Sequence, residues 1–324
     1  MTSHSIAEMN KLGRRRRLLS IDYQLNAHAV LEAHNGRARW MRNVASKCVT
    51  ALRRQFLSHY FGSPPQWRIR IRRLRKDRAL PDFCIVGPAK SGTSDLAVTI
   101  MAHPNVLSPL VKEVPSTDPL SWRPFYPTRQ AVQRHAMRHG VALCPLVGPY
   151  LHSLDIPFAL SSMCPDTKIV ITLRNPADLM FSQWKWLVLH KEKHLVHRVP
   201  FLESFSAYVN KLLELHSEAP GPFVATLLIG IYASSVAHWI RAFGAQNVRV
   251  VDAADYFESR NIFLNSLEQF LGLPHVSLPE RLPVTNCNPL KAMAPDPETL
   301  AKLRAFYAPY NHRLWEIIGT TFPW

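Results

Sequence analysis

The sequence predicts an α/β fold: a single domain with a central parallel sheet flanked by helices and a phosphate-binding loop, preceded by a basic N-terminal extension. Three observations lead there. Short continuous apolar runs at Asp82–Gly87, Lys168–Leu173 and Asn247–Asp252 have the texture of strands buried on both faces. Stretches with helical start or stop signals follow them, and such alternation of strand and helix belongs to a parallel sheet with crossover helices. The first run also ends in a glycine-containing segment lying between strand and helix, the place where a helix N-terminus can hold an anion.

The elements follow in order. After the first strand and its loop, a helix runs to about Met101 and stops at His103-Pro104-Asn105, because proline removes a backbone donor and disfavours helix at the residue before it. The second strand, Lys168 to Leu173, passes directly into a helix: Asn175 is a good N-cap, Pro176 suits the first helical position, and Ala177–Leu187 continues it. A helix over Tyr232–Phe243 leads into the third strand. Another around Ile262–Leu271 is closed by Gly272 and Pro274. Asp296-Pro297-Glu298 opens a last helix, which Pro309 is expected to interrupt before it resumes through Trp315 to Ile318. There is no internal repeat. The boundary between leader and core falls near Arg78–Pro81, giving an extension over 1–80 and a domain over 81–324.

Composition bounds the function. With 47% hydrophobic and 19% charged residues, the 324-residue chain can bury a real core and is unlike a disordered one. Its net charge of +16 is uneven: residues 1–80 hold 18 of the 39 Lys and Arg against 4 of the 23 Asp and Glu, leaving the remainder close to balance. Arg14–Arg17 and the cluster Arg68, Arg70, Arg72, Arg73, Arg75, Lys76 and Arg78 carry much of it, which reads as a solvated basic tail or a tether near an anionic membrane surface, with an organellar targeting peptide or a nucleic-acid arm as the alternatives. A nucleic-acid-binding protein would instead place its charge on the folded domain, so no specific nucleic acid is expected. The leader has no legible apolar core of a secretory signal. The five cysteines, Cys48, Cys84, Cys144, Cys164 and Cys287, form no metal-ligand spacing, and no metal is expected. The uncharged run Ala219–Ile240 contains Pro220, Gly221, Pro222 and Gly230, so it reads as core of a soluble domain and not as a membrane span.

The chemistry gathers in two loops. In Gly87-Pro88-Ala89-Lys90-Ser91-Gly92-Thr93-Ser94, backbone amides without helical partners and the helix dipole favour an anion. Gly92 lets the backbone approach closely, Ser91, Thr93 and Ser94 belong to the same cradle, and Lys90 supplies a full charge. A nucleoside-triphosphate loop carries its lysine directly after the last glycine, whereas Lys90 precedes Gly92 by two. The order Lys-x-Gly-Thr-Ser resembles the 5′-phosphosulfate loop of sulfotransferases that use 3′-phosphoadenosine 5′-phosphosulfate (PAPS). The second loop, Leu173-Arg174-Asn175-Pro176 with Ser182 eight residues after the arginine, resembles that family's clamp for the 3′-phosphate. Further likenesses at His103-Pro104-Asn105-Val106 and Lys112-Glu113 extend the resemblance to the family, and Gly230-Ile231-Tyr232, Phe270–Leu273 and Phe306–Asn311 resemble its carbohydrate and heparan sulfate branch, with coverage from about Asp82 to Gly319.

The resemblance implies roles. PAPS would be the sulfuryl donor and a carbohydrate or other hydroxyl compound the acceptor. Lys90 would neutralise the bridging oxygen, Arg174 and Ser182 would hold the 3′-phosphate, Lys291 would cover the cofactor, and Glu113 would be the general base beside Lys112. The branch's usual compartment is the Golgi lumen, although no membrane anchor is legible here. This chain also departs from the branch pattern. Val114-Pro-Ser-Thr-Asp118 follows Glu113 where histidine and aromatics are usual, Val147-Gly-Pro-Tyr150-Leu151 replaces a lysine-containing motif, and Leu179 stands where an arginine often does. The alternative readings are a nucleotide kinase or other NTPase, in which Asp252 would be the acidic magnesium ligand, and a non-enzymatic nucleic-acid-binding protein.

Overall fold

The computed structural model describes residues 64–114, 118–190, 201–218, 225–277 and 294–324. In chain order these hold α1 (Gln66–Arg73), β1 (Phe83–Val86), α2 (Thr93–Ile100), α3 (Arg129–His139), β2 (Pro145–Gly148), α4 (Ile156–Met163), β3 (Lys168–Leu173), α5 (Pro176–His190), α6 (Phe205–Glu218), α7 (Ala225–Leu228), α8 (Ala233–Phe243), β4 (Val248–Asp252), α9 (Ala253–Glu258), α10 (Arg260–Leu271) and α11 (Pro297–Ile318). The four strands form one parallel sheet in the order β2-β1-β3-β4. From β1 the chain moves outward to β2, then crosses back to place β3 on the other side of β1. The carboxyl ends of β1 and β3, aligned at Val86 and Ile171, therefore flank a topological switch point, where open α/β sheets form a ligand crevice because successive loops diverge.

The period of two in each strand divides the core. Cys84 and Val86 with Ile169, Ile171 and Leu173 pack toward Leu160, Val236, Trp239 and Phe243 on one face. Phe83, Ile85 and Val170 pack toward Leu96, Ala97, Ile100, Leu264 and Leu267 on the other. A third cluster joins α5, α6 and α11 through Met180, Trp184, Tyr208, Leu303 and Tyr307. Each β1 side chain is sealed from solvent, which explains why the central strand reads as a continuous apolar run.

Three features differ from expectation. β2 is only four residues long and opens on Pro145; an edge strand tolerates a proline, because one side of its ladder has no partner, and so short a run carries no strand signal. Pro309 does not interrupt the last helix, which runs unbroken over Pro297–Ile318. Leu303, Tyr307, Asn311 and Leu314 are buried on both sides of Pro309, and that continuous packed face outweighs one missing hydrogen bond. The basic segment at 66–73, read by charge as part of the leader, is a helix within the compact unit Pro64–Trp324. Among the described residues no helix is long and apolar enough to cross a membrane.

Candidate active site

The loop after β1 turns at Lys90, whose φ of 75° is left-handed and costly for a residue with a Cβ. Gly92 follows at φ 82° as the N-cap of α2. Three bonds keep the turn in place. Ser91, buried, donates from Oγ to the Pro88 carbonyl at 2.9 Å and meets Thr172 Oγ1 at 3.1 Å. Arg174 Nη1 donates to the Lys90 carbonyl at 3.3 Å. The loop from β1 is thus fastened to the end of β3. A Cβ on Gly87 would lie 2.4 to 2.6 Å from Ser91 Oγ and the Thr172 oxygens, so glycine is required there by close approach and not by φ.

The amide of Asp95 bonds the Gly92 carbonyl at 3.0 Å, leaving the earlier amides of α2 as the orphan donors of a helix start. The helix itself is anchored from beneath. Asp95, buried, accepts from Tyr256 OH at 2.6 Å and from Arg260 Nη2 at 2.7 Å, and Tyr256 OH lies 2.8 Å from Thr99 Oγ1. The Phe257 ring packs at 3.0 Å from where a Cβ on Gly92 would stand. None of these supporting residues stood out in the sequence, since each acts through a partner about 160 positions away.

Positive charge converges on the crevice. Burial, then Arg174, then Lys185 hold the Lys90 ammonium below its ordinary value, and burial followed by Arg174 does the same for Lys185. Ser182 and Lys185 are three apart on α5, hence on one helix face, and Lys185 Nζ sits 4.4 Å from the Phe181 ring centroid. Cations that disfavour one another's charge form a site suited to a polyanion. Lys185 was missed in the sequence because a lysine in a helix is ordinarily surface. Behind Arg174, the buried Tyr232 donates to its carbonyl at 2.8 Å.

Glu113 lies at the neighbouring strand end. It is about half exposed and pairs with the buried Lys112. Tyr150, just after β2, donates to the Val114 carbonyl at 3.1 Å. Its hydroxyl is held well above the usual tyrosine value, by burial first and then by the Glu113 charge. Glu113 therefore stands at the same carboxyl edge of the sheet as Lys90 and Arg174. Leu179, at a departure from the branch pattern, is core. Lys291 and Cys287 lie outside the described residues. His103, just after α2, bonds the Pro274 carbonyl at 2.9 Å and sits 3.8 Å from the buried Glu268, as a structural tie.

Asp252, the acid that a nucleotide kinase would need, is already committed: Oδ1 caps α9 through the Ala254 amide at 2.9 Å, and Oδ2 accepts from Trp324 Nε1 at 2.6 Å. Among the described residues no group of three or more His, Cys, Asp or Glu is placed to hold a metal ion.

A parallel sheet with helices on both faces, a lysine-bearing loop at its switch point and an arginine from the adjacent strand end make this a doubly wound α/β protein with a cationic crevice. The match at family level is definite: residues 80–287 match the sulfotransferase domain, and the chain belongs to that family. The family draws its sulfuryl group from PAPS generally. The chain is 26% identical over 216 residues to mouse bifunctional heparan sulfate N-deacetylase/N-sulfotransferase 3, covering 63% of this chain and 24% of that one. It thus spans about a quarter of the bifunctional relative. Human heparan sulfate glucosamine 3-O-sulfotransferase 6 is 24% identical over 275 residues, covering 76% of this chain and 74% of the relative. The crystal structure of a sulfotransferase from Alicyclobacillus acidocaldarius is similar with a TM-score of 0.53 and 25% identity, covering 75% of this chain and 98% of that chain. Nothing among these similarities supports a kinase.

Proposed function

We propose that this chain transfers a sulfuryl group from PAPS to a hydroxyl of a carbohydrate acceptor. The observation that carries the proposal is the bond from Arg174 to the Lys90 carbonyl, which joins the two loops whose sequences suggested the two phosphate subsites. The donor set fits the ligand: Lys90, Arg174 and Lys185 supply charge for a bisphosphate, and the start of α2 supplies amides. When bound, PAPS supplies the activated sulfuryl group and a leaving phosphate.

The residues have separate tasks. Lys90 holds positive charge where the bridging oxygen becomes anionic, an effect strongest in a dry site. Ser91, Gly92, Thr93 and Ser94 hold the 5′ side, and Arg174 with Ser182 holds the 3′-phosphate. Glu113 takes the acceptor proton, with Lys112 orienting its carboxylate; its exposure leaves it accessible to a large acceptor. The heparan sulfate relatives support a carbohydrate acceptor.

Calorimetric titration with adenosine 3′,5′-bisphosphate, and with ATP for comparison, tests the reading. Selective binding of the bisphosphate that weakens in both Lys90→Ala and Arg174→Ala is expected. Preference for ATP, or indifference to Arg174, would overturn it. Sulfate transfer onto desulfated heparan-type oligosaccharides, compared with simple phenols, then tests the acceptor class.

A further inference from the structure

α1 has two faces with opposite tasks. Inward, Ile69 is buried, and Arg72 donates from Nε and Nη2 to the carbonyls of Pro124 and Tyr126. Arg78 reinforces the joint with bonds of 2.9 Å to the Arg72 carbonyl and 2.8 Å to that of Tyr126. Outward, Trp67, Ile71 and Leu74 are 63%, 58% and 82% exposed. Their spacing of i, i+4 and i+7 puts them on one stripe. Arg70, Arg73, Arg75 and Lys76 are exposed around it, and residues 64–76 contain no Asp or Glu. The stripe continues into a groove of about 500 Å3 whose lining mixes apolar Ile71, Leu74, Pro127 and Ala131 with polar Arg72, Arg75, Arg78 and Thr128.

We propose that α1 is a docking surface for an anionic phospholipid bilayer. Trp67, Ile71 and Leu74 enter the boundary between headgroups and acyl chains, and Arg70, Arg73, Arg75 and Lys76 meet the lipid phosphates and carboxylates. Charge complementarity alone would suit any polyanion; the apolar stripe within the cationic rim decides for lipid. A sugar chain or nucleic acid rewards the cations and at most stacks on Trp67, leaving Ile71 and Leu74 in water, whereas a bilayer surface rewards both parts. Tryptophan in particular settles at that boundary, its ring apolar and its N–H wet. The helix is held to the domain by Arg72 and Arg78, so docking would hold the catalytic unit at the membrane surface independently of what the active site binds.

The test is flotation of the full chain with vesicles of phosphatidylcholine, with and without phosphatidylserine. The wild type is expected to float with the phosphatidylserine vesicles and to release as salt rises. Trp67→Ser, Ile71→Ser and Leu74→Ser combined are expected to lower the partition coefficient by about tenfold or more, with bisphosphate affinity unchanged as the control for folding. Trp67→Ser alone should give a smaller loss in the same direction, which keeps the test valid if the triple variant misfolds. Unchanged flotation of these variants would overturn the proposal and assign binding to the basic leader. Equal flotation with neutral vesicles would overturn the charge requirement. Loss of a dimer by light scattering in the variants, without loss of flotation, would show that a second copy covers the stripe, and would overturn it too.

Discussion

Arg174 Nη1 donates to the carbonyl oxygen of Lys90 at 3.3 Å, across the crevice between two strands that are neighbours in the sheet and 84 residues apart in the chain. The arginine therefore braces the left-handed turn that presents Lys90 while keeping further donors for an anion. Arg174→Ala is expected to weaken adenosine 3′,5′-bisphosphate by roughly ten- to a hundredfold, the worth of one or two charge-assisted bonds. Arg174→Lys should recover only part of this, because an ammonium lacks the planar fork. Calorimetry on the two variants decides it.

Lys90 should act on the rate more than on binding. Lys90→Ala is expected to lower kcat by about a hundred- to a thousandfold, as removal of a donor aimed at developing charge does. Its ammonium is depressed in the free protein by burial, Arg174 and Lys185. Bound phosphates favour the charged form and raise it again, so affinity is greatest below the free-state value and is lost as pH rises through the bound-state value. Bisphosphate binding near that range should accordingly take up a proton, measurable by titration in buffers of different ionisation enthalpy.

Glu113→Gln should separate chemistry from cofactor binding. The carboxylate is about half exposed, so the variant should fold normally. A loss of about a hundredfold or more in kcat is expected with bisphosphate affinity unchanged. A variant as active as the wild type would remove Glu113 from the role of base.

Gly87→Ala should be felt in the fold and the site together. The added methyl would meet Thr172 O at 2.5 Å and Ser91 Oγ at 2.4 Å. Relief requires backbone movement, at a cost of about 1–3 kcal/mol. A lower Tm with weakened bisphosphate binding is expected; a Tm equal to that of the wild type would contradict the packing described.

Acid should weaken the domain through His103. Burial holds this imidazole below its ordinary value of 6.5, against the opposing influences of the Pro274 carbonyl and Glu268. A group depressed on folding contributes stability that is present above the unfolded value and lost as pH falls through it toward the folded value. Tm should therefore fall as pH drops through the ordinary imidazole value of 6.5 toward the lower folded-state value, and His103→Gln should flatten that dependence. Scanning calorimetry across this range makes the comparison.

By itself the sequence determined the class of fold and the two loops. Both are local properties: β1 and β3 are buried on both faces and so are apolar throughout, and an anion loop needs its lysine, glycine and hydroxyls close together in the chain. Asn175 and Pro176 likewise announce α5 because capping acts within a turn. Tertiary structure decided the rest. β2, four residues opening on proline, exists because β1 offers it an edge, and α11 passes through Pro309 because Leu303, Tyr307 and Leu314 are buried along one face. The supports of the site, Thr172 against Ser91, Tyr232 behind Arg174, Asp95 with Tyr256 and Arg260, are pairs remote in sequence. The same holds for Lys185 near Lys90, and for Asp252, which reads as a metal ligand until Trp324 is found bonded to it. Local patterns record what a residue needs from its neighbours in the chain; which distant groups meet it is set by packing of the whole core.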